Sequence, residues 1–396
     1  MVMARAPWVS SRLGPAHHDP SPLAPACCRR TQRAVQRQGS AKPVRPPWEL
    51  EQRAQEVRMR AAVTNVDPAA PPVEVREVPP PSPAPGWVTV RLQRAALNRL
   101  DAMLLAARTE EKPDTVYGAD GAGLVHEVGP PVAGHDTDVA PGDRVIICPS
   151  LHWGEDEQAP GASYEILGSP TDGTHAELVA VPAANVHRVP AHLSWEEAAA
   201  LPLAGLTAWR ALVTRGRLKG GETVVVGAAS SGVGSMAVQL AHAHGARVAA
   251  VTSGPAKAAA ASALGADAVV DRSRGAVAEQ LRALVPEGAD LALDPTGALW
   301  QPFVDALRPG GRLVAVGKMA SATAELRVQS VYWKQVDVLG SSMGSPRDFR
   351  DLLRHVEEHR WAPLVDSVFG LGDVAAAYAR LDADDRIGKV VLDTTR

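Results

Sequence analysis

Cysteine is scarce in this chain: Cys27, Cys28 and Cys148 are the three thiols among 396 residues. Three cannot build a disulfide framework or a four-thiolate metal site, and a reducing compartment fits best. Long apolar runs are missing too; none reaches the roughly 18–20 residues of a membrane span. Neither sign of charge dominates. A formal net charge of −3 requires neither a nucleic-acid partner nor an acidic substrate. What is present is 45% hydrophobic residues, over a length sufficient for two domains.

Acidic residues are nearly absent from the first 47 positions, where eight Lys or Arg face Asp19 alone among scattered prolines. Residues 1–58 are therefore expected to be a disordered tail. An Arg-rich, acid-poor end suits an organellar targeting peptide. The other reading is a true start at Met59, since the charged stretch 49–58 makes a poor cleavage region; the protein is then cytoplasmic. Cys27-Cys28 has no second pair, so metal binding there is not expected.

From residue 59 to about 194, short strands alternate with Pro- and Gly-rich turns. Residues 73–78, 87–92, 123–128 and 145–148 read as strands, and Pro79-Pro-Pro-Ser-Pro-Ala-Pro85 reads as a surface connection. This spacing predicts a small barrel-like β domain. Over 195–342 the rhythm changes. Apolar strands at 222–227, 247–251, 268–270, 290–293, 312–316 and 336–339 alternate with helices, among them 233–244, 256–264, 276–284 and 299–307. Such alternation predicts a doubly wound parallel sheet covered on both faces. The segment 343–396 holds two helical stretches, 347–359 and 371–381, and the strand 388–392; it is too short to stand alone and is expected to return to the first domain.

The first strand of the second domain runs straight into Gly227-Ala-Ala-Ser-Ser-Gly-Val-Gly234. A pyrophosphate needs close backbone approach and N–H groups at a helix N-terminus, which Ser230, Ser231, Gly232, Val233 and Gly234 would provide. Counting the dinucleotide fingerprint back from Gly234 puts Ala229 and Ser231 where glycines are usual, so the motif draws its weight from its strand–helix context. The second strand ends in Val251-Thr-Ser-Gly254 with Lys257 beyond it and no acid. Hydroxyls of Thr252 and Ser253 with a cation suit a 2′-phosphate, so NADPH is expected rather than NADH.

Several segments in fixed order carry a family resemblance: Ala95-Ala-Leu-Asn-Arg-Leu-Asp101, Gly118-Ala-Asp-Gly-Ala-Gly-Leu-Val-His-Glu-Val-Gly129, Pro141-Gly-Asp-Arg-Val145, Leu264-Gly-Ala-Asp267 and Pro309-Gly-Gly-Arg-Leu313. With them the stretch 59–396 resembles the medium-chain dehydrogenase/reductase superfamily, and within it the zinc-independent quinone oxidoreductase-like members. The resemblance implies an α/β chain: a GroES-like β-rich catalytic domain plus a Rossmann doubly wound parallel sheet. Zinc-dependent members hold a catalytic metal with a Cys, a His and a later Cys or Asp. Here Asn98, Ala119 and Leu203-Ala-Gly205 stand at those positions, and catalytic zinc needs three protein ligands. The structural-zinc lobe would need four cysteines near 150–165, and that stretch has none. No zinc is therefore expected, and His152, Glu155, Asp156 and Glu157 read as a solvated acidic loop.

Without a Lewis acid, alcohol–carbonyl interconversion loses its usual means of stabilising an alkoxide, whereas reduction of a quinone or enone can rely on hydrogen-bond donors. The resemblance places Asn98 beside the nicotinamide, its amide able to donate; a turn-capping Asn is the alternative. Tyr117 is a candidate proton source or an aromatic in an apolar pocket. Thr207, Thr296, Gly317 and Ser341 fall where loops meet the nicotinamide side, and Lys389 falls where a basic residue approaches the cofactor phosphates or is a plain surface Lys. The expected function is NADPH-dependent reduction of a small quinone or α,β-unsaturated carbonyl by a homodimer. A zinc-type alcohol dehydrogenase and a non-catalytic NADPH-binding protein are the alternatives.

Overall fold

The computed structural model describes residues 58–67, 69–108, 114–132 and 138–396. The tail expected over 1–58, Arg58 excepted, and Cys27-Cys28 lie outside these residues. Among the described residues, no helix is long and apolar enough to cross a membrane.

The first domain begins with an antiparallel pair, β1 (Met59–Thr64) and β2 (Val73–Val78), and continues through β3 (Trp87–Ala96), β4 (Asp120–Val128) and β5 (Arg144–Ile147). The short strands β6 (Ser150–Leu151), β7 (Glu165–Ile166), β8 (Leu178–Pro182) and β9 (Val186–Arg188) follow. β3 organises this half, pairing antiparallel with both β4 and β8. Its alternate residues Val88, Val90 and Leu92 enter one core with Val125, Val145, Ile147, Val179 and Val181, as the two-residue period of a strand dictates.

The second domain is a six-stranded sheet: β10 (Thr223–Val226), β11 (Arg247–Thr252), β12 (Ala268–Asp271), β13 (Ala289–Asp294), β14 (Leu307–Ala315) and β15 (Asp337–Gly340). All its pairings are parallel, in the order β12-β11-β10-β13-β14-β15. Successive residues of one strand serve opposite cores: Val224 and Val226 pack with Leu206 and Met236, whereas Val225 packs with Val251 and Phe303. Burial on both faces accounts for the continuous apolar runs. The strand order reverses between β10 and β13, which opens a crevice at their carboxyl ends.

Two connections join the halves. The helix Pro202–Trp209, running into one π turn at Arg210–Arg215, shares a core with the helices Gly232–Ala243 and Pro346–His359. The last strands, β16 (Val365–Gly370) and β17 (Lys389–Asp393), enter the first sheet, with β17 parallel to β16 and antiparallel to β3. The segment 343–396 thus divides. Its second part supplies strands to the catalytic sheet, whereas its helix supplies none: Leu352 and Val356 share a core with Leu206, and the Phe349 ring also packs against His187 of β9, 5.2 Å away.

Candidate active site

The turn after β10 is shaped by contacts that leave no room for larger residues. Ala228 takes a left-handed φ of 47°, and Ser231 caps the helix Gly232–Ala243 by accepting from the Gly234 N–H at 3.1 Å. A Cβ on Gly234 would lie 2.1 Å from the Ala228 carbonyl oxygen. Ala229, at a usual glycine position, is fully buried and donates its N–H to the Val251 carbonyl at 3.0 Å. Its methyl is tolerated there. The helix N-terminus behind this turn favours an anion through its dipole.

A cleft runs over this turn in two parts. Its outer part, about 240 Å³, is walled by Ser230, Ser231, Thr252, Ser253, Lys257 and Thr296. Arg99, Arg272 and Arg386 add three further cations, against the single carboxylate of Asp384. The acid at the end of β12, Asp271, is turned to structural use. Its Oδ1 accepts from the Gly254 N–H at 2.9 Å and the Ser273 hydroxyl at 2.6 Å, and the Ser273 bond leads in holding it below the usual carboxylate range. The inner part, about 400 Å³, shares Ser231 and Thr296 and is walled by Asn98, Thr207, Gly232, Val233, Gly317 and Lys389.

At the inner end the polar groups are closed on one another. The Lys389 ammonium donates to Asn98 Oδ1 at 2.5 Å and to Asp120 Oδ2 at 2.9 Å, and Asn98 Nδ2 donates to the same carboxylate oxygen at 3.0 Å. Asp120 Oδ1 accepts from the Leu203 N–H at 2.7 Å. Asn98 also caps the helix Arg99–Ala106, with Asp101 returning a bond to its backbone N–H at 2.6 Å. Burial raises the Asp101 carboxyl to about 7. Lys389 also lies against the phosphate turn: a Cβ on Gly232 would stand 2.9 Å from Lys389 Cδ, and the Gly388 N–H donates to the Ser230 carbonyl at 2.9 Å.

Two expectations, on Tyr117 and Ser341, are corrected, and two, on Asn98 and Gly234, are sharpened. Asn98 lines the inner cleft, but its amide is drawn largely inward: Oδ1 accepts from Lys389 and one of the two Nδ2 hydrogens goes to Asp120. Tyr117 lines neither part of the cleft; its ring packs with Leu97, Leu105 and Tyr378, its hydroxyl donates to the Leu104 carbonyl at 3.3 Å, and burial raises its pKa. Ser341 faces a neighbouring opening, and Ser342 takes the place expected of it. Gly234 is no wall residue; its part is the close approach to Ala228. The remaining expected residues, Ser230, Ser231, Gly232, Val233, Thr207, Thr252, Ser253, Lys257, Thr296, Gly317 and Lys389, all reach the cleft.

Asp120, Arg99, Arg272 and Arg386 escaped the sequence reading. Arg272 follows β12 directly, so extending the search for cations from the second strand end to the third would have found it. Asp120 sits inside the quoted Gly118-Ala-Asp segment, but nothing in the sequence announced Lys389 as its partner 269 positions away. Among the described residues, no group of three or more His, Cys, Asp or Glu is placed to hold a metal ion. Cys148 is buried, and desolvation pushes its thiol up to about 12. Among the described residues, then, no set of zinc donors is brought together.

Comparison with known proteins agrees with this layout. Residues 84–191 match the alcohol dehydrogenase GroES-like domain, and residues 232–358 match the zinc-binding dehydrogenase family. The chain is 32% identical over 337 residues to an acryloyl-coenzyme A reductase of Metallosphaera sedula, covering 81% of this chain and 96% of that one. A crystal structure of an NAD-dependent alcohol dehydrogenase superposes with a TM-score of 0.78 at 38% identity, covering 85% of this chain and 99% of that one. A 2-octenoyl-CoA carboxylase reductase in complex with NADP and 2-octenoyl-CoA gives 0.73 at 27% identity, covering 85% and 87%.

Proposed function

Because the chain belongs to the medium-chain dehydrogenase/reductase superfamily, we propose that it is an NADPH-dependent reductase of activated carbon–carbon double bonds or quinones that works without zinc. The observation that carries this reading is the closed Asn98–Asp120–Lys389 network at the inner end, where a metal-dependent enzyme needs three ligands to the ion. When bound, the reduced nicotinamide supplies a hydride equivalent, and the protein supplies position and electrostatics. Lys389 places a cation on the inner wall, close to where charge develops on a carbonyl oxygen conjugated with the reacting carbon. At the outer end Ser253, Lys257 and Arg272 present a hydroxyl and two cations, and with Arg99 and Arg386 the cations of this wall outnumber its one carboxylate, Asp384, which suits a 2′-phosphate. Acryloyl- and octenoyl-thioester relatives support an enoyl compound as one substrate class.

The test is oxidation of NADPH and NADH by purified protein with quinones, enones and enoyl thioesters, and metal content measured on the same batch. NADPH turnover that chelators leave intact supports the reading. Stoichiometric zinc lost together with activity favours a zinc-type alcohol dehydrogenase, and nucleotide binding without turnover favours a non-catalytic NADPH-binding protein.

A further inference from the structure

The loop between β6 and β7, residues 152–164, is the region in which the sequence lacks four metal-binding cysteines. One buried arginine fastens it. Arg210, at the junction between the helix Pro202–Trp209 and the π turn, donates to the carbonyls of Glu157 at 3.0 Å and Gln158 at 2.7 Å. Its guanidinium lies 4.8 Å from the Trp153 ring and donates at 2.6 Å to Asp348 Oδ2, on the helix Pro346–His359. Both charged side chains are nearly buried, at 3% and 7% exposure. The planar fork of arginine is what allows one side chain to serve a carboxylate, two carbonyls and a ring face together.

The fastening extends to neighbouring groups. Asp348 also accepts from the Thr214 hydroxyl at 2.5 Å and from the Ser345 N–H at 2.9 Å, and the Ser345 hydroxyl contacts the Glu157 carboxylate. The Trp153 indole N–H donates to the Asp156 carbonyl at 2.9 Å, so the loop is braced internally as well. Beneath it lies an opening of about 600 Å³ walled by Trp153, Pro160 and Arg210 on one side and by Gly317, Ser341 and Ser342 on the other. Val316, Gly317 and Ser342 also wall the inner cleft, so the two spaces adjoin. The Ser341 hydroxyl has no hydrogen-bond partner.

We propose that Arg210 is a positioning residue for the reaction: with Asp348 it latches the 152–164 loop without metal, and the latched loop forms the wall against which the arm of an extended substrate lies. This rests on the reductase reading above. The arm enters beside Gly317 and Ser342 while the reacting double bond occupies the inner cavity, so the latch governs extended substrates more than short ones.

The experiment compares the full chain with Arg210→Lys, which keeps the charge but loses the fork, and with Trp153→Leu, which weakens the latch from the loop side and leaves the buried ion pair intact. Cleavage at exposed Glu155 by a glutamate-specific protease reports the loop. NADPH-dependent reduction of 3-buten-2-one and of 3-decen-2-one reports the wall. Both variants are expected to be cleaved about tenfold faster and to raise KM for the long enone about tenfold, with KM for the short one moving less than twofold. Unchanged cleavage overturns the latch, and equal KM changes for both enones overturn the positioning role. If the parent reduces neither enone, the reductase reading and the positioning role fall together, while the cleavage rates still decide the latch.

Discussion

Lys389 and Asp120 form an ion pair of 2.9 Å in which the side chains are only 3% and 0% exposed. Among the described residues, Asn98 and the Leu203 N–H are what share the carboxylate with the lysine. Removing one member of such a pair leaves a buried charge uncompensated, which typically costs about 3–5 kcal/mol. Lys389→Met should therefore lose stability of that order in urea titrations. Adding Asp120→Asn should restore much of it; a double variant as unstable as the single one would show that the pair is not the source of the loss.

The outer end of the cleft sets a second expectation, on nucleotide choice. Charge-assisted hydrogen bonds to a 2′-phosphate are worth about 1.5–3 kcal/mol each. Arg272→Ala and Lys257→Ala should each raise KM for NADPH by about tenfold or more and leave KM for NADH nearly unchanged. Steady-state kinetics with both nucleotides checks this. Equal effects on the two would move the phosphate site elsewhere.

Stability should depend on pH through groups of opposite sign. Burial lowers His175 to about 3 and His187 and His355 to about 4, so each takes up a proton near 6.5 when unfolded but not while folded. Their contribution is present above pH 6.5 and is lost as pH falls from 6.5 toward 4. Asp101 acts in reverse. Raised to about 7, it holds its proton in the fold and releases it near 4 when unfolded, so its contribution is present in acid and is lost as pH rises from 4 to 7. Three imidazoles outweigh one carboxyl, so unfolding free energy should decline below pH 6.5. Asp101→Asn should steepen that decline, as measured by urea unfolding at pH 4.5, 5.5, 6.5 and 7.5. An unaltered slope would mean that Asp101 is ionised in the fold throughout.

Self-association is the fourth expectation. β15 closes its sheet, with no strand beyond it among the described residues. The helix just before it, Val328–Lys334, exposes Val328 at 75%, Tyr332 at 55% and Trp333 at 77%. An open edge beside exposed aromatic and aliphatic side chains suits a two-fold contact with a second copy. Sedimentation equilibrium should find a dimer that Trp333→Glu shifts toward monomer. A monomeric parent would remove the proposal.

The doubly wound half was legible because burial on both faces of its sheet leaves unbroken apolar runs, such as 224–226 and 248–251, between helical periods. The short helix Arg99–Ala106 was not, since its tie to the surroundings comes largely from the Asn98–Asp101 cap rather than a strong apolar stripe. In the cleft, residues adjacent to a strand end could be placed from order alone, as Ser253 and Thr296 were. The Asn98 amide could not, because what engages it arrives from Lys389, 291 positions further on. Arg210 gave no signal either: its partners are mostly backbone carbonyls, which every sequence contains.

β17 has a consequence for the order in which the molecule can assemble during synthesis. Its residues Lys389–Asp393 lie between β16 and β3, so a sheet whose first strands are made early must wait for a strand made after all six strands of the nucleotide-binding half. That half can close on itself first, although domains made first usually fold first. Until β17 docks, the edge of β3 that it covers stays open over part of its length, and Asp120 has no ammonium beside it. The newborn chain is therefore most vulnerable to aggregation in its earliest-made domain, and a ribosome-stalled chain ending before residue 389 should carry a folded nucleotide domain tethered to an unfinished one.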